Sequence, residues 1–143
     1  MNDIHPLQLS SLITKNLDEE PQSNWFANMS HLNQQKIQLS FHAKEKTLIS
    51  GTEVIEAIFR EVDSNLLMTI YKKNGIFAQQ NDAIISVSGS TKSILKAYNL
   101  ALNFFSRMCG LATLTAKLVQ ELSQTQAKLL ATRQFTPGLK LIE

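Results

Sequence analysis

Three stretches of this 143-residue chain predict an α+β fold with antiparallel strands. Residues 36–43, Lys36-Ile37-Gln38-Leu39-Ser40-Phe41-His42-Ala43, alternate strictly between polar and apolar, the period of a half-buried strand. Residues 52–62 carry Val54, Ile55, Ile58, Phe59 and Val62 at helical spacing, which makes one apolar stripe. Residues 92–122 hold two apolar helical runs that meet at Gly110. The order helix, strand, helix, several strands, two long helices, strand is that of an α+β domain.

Taken in order, residues 6–17 come first. Leu9, Leu12, Ile13 and Leu17 would cover one helix face, and Pro21 after Asp18-Glu19-Glu20 ends it. Residues 22–35 are rich in Asn, Gln and Ser and read as loop, with Trp25 and Phe26 as apolar anchors. The strand 36–43 follows, and Leu48 and Ile49 continue the apolar material up to Gly51. In the helix 52–62, Glu53 and Glu56 sit in the first turns, where the helix dipole favours acid.

Leu66 to Tyr71 is the next strand, and Lys73-Asn74-Gly75 a turn, since Asn and Gly tolerate positive φ. Ile76–Ala78 and Ala83–Val87 add one or two strands around the turn residues Asn81-Asp82. Ser90 or Thr91 caps the next helix. From Lys92 to Met108 that helix is apolar nearly all round, which predicts burial on several sides, in a core or at a subunit interface. Gly110 is expected to break or kink it. A second helix, 111–122, would present Leu111, Leu114, Leu118, Val119 and Leu122, and Ala127–Ala131 would form a short terminal strand.

Composition narrows the function classes. Fourteen basic and twelve acidic residues give a net charge of +2, spread along the chain, which argues for neither a nucleic-acid nor an anionic-membrane partner. No uninterrupted apolar run is long enough to cross a bilayer, and the N-terminus lacks the cationic start of a signal peptide. A single cysteine, Cys109, cannot form an internal disulfide and fits a reducing, cytoplasmic setting. Its neighbours Met108 and Leu111 mark it as a buried structural thiol. His5, His31 and His42 are scattered without ligand spacing, so no metal site is expected in this chain.

The sharpest local signal is Thr132-Arg133-Gln134-Phe135-Thr136-Pro137-Gly138. An arginine past the end of a buried strand and ahead of a Pro-Gly turn lies where α/β folds place ligand-binding side chains. From the residues alone, Arg133 reads either as such a group or as a solvated arginine at a strand end. Arg107, between Phe105 and Met108, reads as ion-paired or snorkelling rather than substrate-binding.

The runs LNFFSRMCGLATLTAKLV and AKLLATRQFTPGLKLIE resemble the quinolinate phosphoribosyltransferases, the carboxylating nicotinate-nucleotide pyrophosphorylases. Upstream, FHAKEKTLISGTEVIEAIFREV and NGIFAQQNDAIISVSGS are similar to the same family, and molybdenum-transport-associated homologues share the region. The resemblance covers roughly residues 36–143.

It implies an N-terminal α/β sandwich with an antiparallel sheet, followed by the first strand of an α/β barrel whose remainder this chain lacks. The matching segments are 1–35 as helix and loop, 36–123 as the sandwich with its long helices, and 124–143 as the first barrel strand and turn. It also implies a cytoplasmic homodimer in which one subunit's barrel meets the other's N-terminal domain. The family reaction joins quinolinate to phosphoribosyl pyrophosphate with Mg²⁺, giving nicotinate mononucleotide, pyrophosphate and CO₂ in NAD biosynthesis. The chain alone would hold no Mg²⁺ and would not catalyse.

Carried over residue by residue, Arg133 matches the family arginine that binds a substrate carboxylate, for which a planar guanidinium is well shaped. Thr132 also matches. Gln134 stands where the family has lysine, Ala131 where it has aspartate, and Asn99 where it has the arginine that reaches the neighbouring subunit's site. Each charge-assisted hydrogen bond is worth roughly 1.5–3 kcal/mol, so two lost cations would cost several orders of magnitude in affinity. These departures motivate the alternative: a non-catalytic, degenerate or truncated homologue acting as a dimerisation or binding module.

Overall fold

The computed structural model describes residues 6–19, 35–132, 134–140 and 142. The chain folds as α1 (Pro6–Glu19), β1 (Lys36–His42), β2 (Thr47–Leu48), α2 (Thr52–Val62), β3 (Leu67–Ile70), β4 (Phe77–Ala78), β5 (Ala83–Ser90) and α3 (Thr91–Leu122). The expected loop at 22–35, with Trp25 and Phe26, lies outside the described residues apart from Gln35.

Two antiparallel sheets form. One has the order β1-β5-β3, the other pairs β2 with β4. Central β5 pairs Leu39 with Val87 on one side and Met68 with Val87 on the other. Its residues Ile84, Ile85, Ser86 and Val87 are buried in succession: β1 and β3 flank both edges, α3 packs on the strand, and the Tyr71 hydroxyl lies 3.1 Å from Ser86 Oγ. Outer β1 keeps the alternation its sequence predicts: Ile37, Leu39 and Phe41 turn inward and their neighbours outward. The register slips between Phe41 and His42, a bulge that ends the strand before Ala43.

The helices α2 and α3 pack on each other, α3 also touches β1, β2 and β5, and α1 lies across α2 and α3. Phe41 is a hinge of this core. Its ring meets Phe59 of α2 at 6.3 Å and Phe105 of α3 at 6.0 Å, both edge-to-face. Val54, Ile55, Ile58 and Phe59, the stripe read from sequence, are all buried. Ser10 and Thr14 of α1 both bond the Glu61 carboxylate of α2, fixing the two helices side by side.

The start of α2 has an unusual cap. Gly51 holds the N-cap position at φ 86° and has no side chain to offer. Asn74, from the turn after β3, reaches back instead, and its Oδ1 accepts from the Thr52 N–H at 3.1 Å. The cap is therefore non-local in sequence, and Gly75 N–H to Ile49 O at 2.9 Å holds the turn against it.

Three sequence expectations fail. Gly110 neither breaks nor kinks the chain into two helices, because α3 runs unbroken from Thr91 to Leu122. Glycine inside a helix costs about 1 kcal/mol relative to alanine, and strong helix formers on both sides outweigh that. No strand forms at Ala127–Ala131, and Leu129 and Leu130 are exposed. A barrel strand is defined by its neighbours in a ladder, and no partner strand for it exists among the described residues.

The burial expected on several sides of Lys92–Met108 is also confined to one side: Ile94, Ala97, Leu100, Ala101, Phe104, Phe105 and Met108 are buried, whereas Leu102 is exposed. Beyond Cys109, which is buried, Leu111, Leu114, Leu118 and Val119 are exposed. Ser90 does cap α3, its Oγ accepting from the Ser93 N–H at 3.4 Å.

Candidate functional site

Of the residues singled out from sequence, Thr132 and Gln134 lie together in the segment after α3, and Arg133 lies outside the described residues. The Thr132 Oγ1 accepts from the Gln134 N–H at 3.1 Å and donates to the Gln134 carbonyl at 3.4 Å. This local loop replaces the ladder of a strand. Both residues are exposed. Asn99 sits half-buried on α3, and no hydrogen bond joins it to Thr132 or Gln134 among the described residues. The three are thus not assembled around one point within a single copy of the chain.

Residues 134–140 and 142 turn back onto the domain. Leu139 N–H bonds Thr136 O and Ile142 N–H bonds Leu139 O, both at 2.9 Å, with Gly138 at φ 82° supplying the turn. Leu139 and Ile142 are partly buried against the core. Arg107, exposed on α3, donates from Nη2 to the Thr136 hydroxyl. That contact was not readable from sequence, where Arg107 showed only an apolar flank. Its one sequence signal is spacing: Asn99, Asn103 and Arg107 recur every four residues and form a polar ridge on α3.

Beside this ridge, a cavity of about 280 Å³ opens between the end of α1, α3 and the returning segment. Asn16, Glu19, Asn103 and Arg107 bring polar groups to it, over an apolar floor of Leu100, Phe104 and Leu139. A larger groove of about 660 Å³ runs between α3 and the β1–β2 connection. Phe41, Tyr98, Leu102 and Phe105 line its apolar part, and His42, Lys44 and Lys117 contribute polar groups to its wall. Asn99 lines neither space.

The electrostatics are those of a scaffold. Asp63 has its carboxyl held below the ordinary range by the Asn65 N–H and then the Ser93 hydroxyl. Asp82 is lowered by the Gln79 N–H and then by Lys72, whose Nζ lies 3.0 Å away. Burial pushes the Cys109 thiol up, partly offset by its backbone bond to Ser50. Its Sγ accepts from Ser50 N–H at 3.4 Å, so the buried structural thiol read from sequence is found. His42 is exposed, as its outward strand position predicts. Among the described residues no group of three His, Cys, Asp or Glu could hold a metal ion. No helix among them is long and apolar enough to cross a membrane.

Comparison with known proteins gives this geometry a family. Residues 23–109 match the model of the quinolinate phosphoribosyl transferase N-terminal domain. The chain is 28% identical over 137 residues to a probable carboxylating nicotinate-nucleotide pyrophosphorylase of Bacillus subtilis, covering 96% of this chain and 47% of that protein. It is 34% identical over 108 residues to the chloroplastic carboxylating nicotinate-nucleotide pyrophosphorylase of Arabidopsis thaliana, covering 76% of this chain and 30% of the other. Among solved structures, the nicotinate-nucleotide pyrophosphorylase of Francisella tularensis superposes with a TM-score of 0.88 at 26% identity, over 98% of this chain and 50% of that one. NadC of Streptococcus pyogenes gives 0.89 at 27%, over 99% and 51%. The chain therefore spans about half the length, or less, of these relatives.

Proposed function

Since the chain belongs to the quinolinate phosphoribosyl transferase family through its N-terminal domain, we propose that it is the front portion of an enzyme of that chemistry. The reaction is transfer of a phosphoribosyl group from phosphoribosyl pyrophosphate to quinolinate. Loss of CO₂ follows, giving nicotinate mononucleotide for NAD biosynthesis. The observation that carries the reading is the match of the whole fold, TM-score 0.89 over 99% of the chain, to half of a relative.

In this reading the chain's own residues bind and orient rather than transform. Arg133 holds a quinolinate carboxylate through its guanidinium fork, with Thr132 and Gln134 beside it. Asn99, on the outer ridge of α3, faces the site of a second subunit, so the working unit is a homodimer. Asn99 and Gln134 offer neutral amides where the family has cations, so substrate anions are held more weakly. Mg²⁺ supplies charge neutralisation to the pyrophosphate in the family. The remainder of the α/β barrel, with its metal and phosphate ligands, belongs to the half of the relatives that this chain does not span. The protein acts in the cytoplasm, as the lone reduced Cys109 suggests.

A second reading rests on Asn99, Ala131 and Gln134 together: a non-catalytic homologue that dimerises or binds through α3. The intact mass of the polypeptide carrying this sequence in its source cells separates the two. The enzyme reading predicts about twice the 16.0 kDa of this chain. A mass of 16.0 kDa would sink it in favour of the binding module.

A further inference from the structure

We propose that the loop Leu48–Gly51 is a splint across Gly110: it grips α3 on both sides of the glycine and holds a built-in hinge closed. The device goes beyond the enzyme reading and does not depend on it. Two features of one turn favour a bend in α3. Glycine is the weakest helix former after proline, and kinks gather where such residues loosen the ladder. Three residues past Gly110, the Thr113 hydroxyl donates back to the Cys109 carbonyl at 2.6 Å. Bonds of this kind bend helices, because they draw on a carbonyl that the ladder also uses. Yet α3 runs unbroken through the turn.

Helix propensity on both sides is joined by a hold from outside the helix. Before the glycine, Cys109 and Ser50 exchange a pair of bonds. The sulfur accepts from the Ser50 N–H at 3.4 Å and donates to the Ser50 carbonyl at 3.5 Å. Met108 lies against Gly51, so close that a Cβ there would overlap its thioether. Past the glycine, the Thr113 hydroxyl accepts from the Leu48 N–H at 2.9 Å, the second bond a hydroxyl can make while it donates to Cys109. Leu48 and Ser50 thus bond α3 from either side of Ile49. Ile49 turns the other way: its N–H bonds the Ile76 carbonyl at 3.0 Å, and its carbonyl accepts from the Gly75 N–H at 2.9 Å. The gripping loop is thereby tied to the turn whose Asn74 caps α2. Bonds on both sides leave that loop little local freedom, so it can fix the turn of α3 between Cys109 and Thr113. Thr113 makes the bond on the far side of the glycine. Its hydroxyl therefore sets the direction of residues 111–122 relative to the first half of α3, which carries Asn99.

The test is hydrogen exchange, read by peptide mass spectrometry on the 143-residue chain. It is run at sub-micromolar concentration, below the range in which association would mask the helix. Thr113→Val removes the hydroxyl at nearly constant shape, and Thr113→Ser keeps it. Each is made with and without Gly110→Ala, for which there is room. In Thr113→Val, residues 111–118 are expected to exchange about three- to ten-fold faster, with residues 94–105 unchanged. Thr113→Ser should stay within about two-fold of the parent. In the Gly110→Ala background, the same Thr113→Val change should move residues 111–118 by less than about two-fold, because the hinge itself is gone. Residues 46–50 should still exchange faster there, since the Leu48 N–H has lost its partner. The proposal is overturned if Thr113→Val acts equally in both backgrounds, or if it leaves residues 111–118 as in the parent. Equal acceleration of residues 94–105 would overturn it too, since the bond would then support the whole fold rather than one hinge.

Discussion

Gly51 shows how much one backbone angle carries. It begins α2 at φ 86°, and a Cβ built there would overlap the Sδ and Cε of Met108 on α3. Gly51→Ala is therefore expected to cost about 1–3 kcal/mol, from left-handed strain and forced repacking together, read as a lower urea midpoint. An unchanged midpoint would mean that Met108 swings away freely and that the angle relaxes. Asp63 and Asp82 make a second prediction at this scale. Both carboxyls are held below the ordinary carboxylate range in the folded chain, by the backbone N–H groups of Asn65 and Gln79 above all. A depressed folded pKa stabilises above the unfolded value, and that stability is lost as pH falls through the folded one. The urea midpoint should thus drop between pH 5 and pH 3, and drop less in the Asp63→Asn/Asp82→Asn double variant. Equal drops in both proteins would exclude these two groups as the cause. The residue types at turns were legible in sequence: Asn74-Gly75, Asn81 at φ 68° and the Ser90 cap all sit where their side chains predict. What was not legible was reach. Asn74 caps a helix more than twenty residues upstream, and Arg107 bonds a threonine that only the returning segment brings near.

At the scale of elements, the fold was readable wherever one face decides. Helix α2 matches its sequence bounds because its apolar stripe and acidic first turn agree. Strand β1 matches because alternation has one solution when a core lies on one side. The misreadings concern α3 and the segment after it. Gly110 is exposed, with nothing within 4 Å of a Cβ placed on it. Gly110→Ala should therefore stabilise the chain by up to about 1 kcal/mol, the difference in helix propensity, raising the thermal midpoint. A fall instead would mean that the helix does break there. The Ala127–Ala131 strand failed for another reason. Apolar residues in a short run signal burial, but a strand also needs a ladder, and sequence alone does not say whether neighbours are present.

At the scale of the molecule, α3 separates two environments. Its first half seals the core, while Leu111, Leu114, Leu118 and Val119 of its second half are exposed, as are Leu129 and Leu130 beyond it. Contiguous apolar surface of this kind favours association. The isolated chain is expected to self-associate at micromolar concentration in sedimentation, and Leu114→Lys/Leu118→Lys to shift it toward monomer. A parent chain that sediments as a monomer at that concentration would show the face to be tolerated in water. The candidate site was legible only in part for a related reason. Thr132 and Gln134 do form one local group, but Asn99 stands apart on α3, and no hydrogen bond joins it to them among the described residues. The most direct test of the account is a decarboxylation assay with carboxyl-labelled quinolinate. The enzyme is the polypeptide carrying this sequence, purified from its source cells. Labelled CO₂ is expected to appear only with phosphoribosyl pyrophosphate and Mg²⁺ present. No release, under conditions where a carboxylating nicotinate-nucleotide pyrophosphorylase is active, would contradict it.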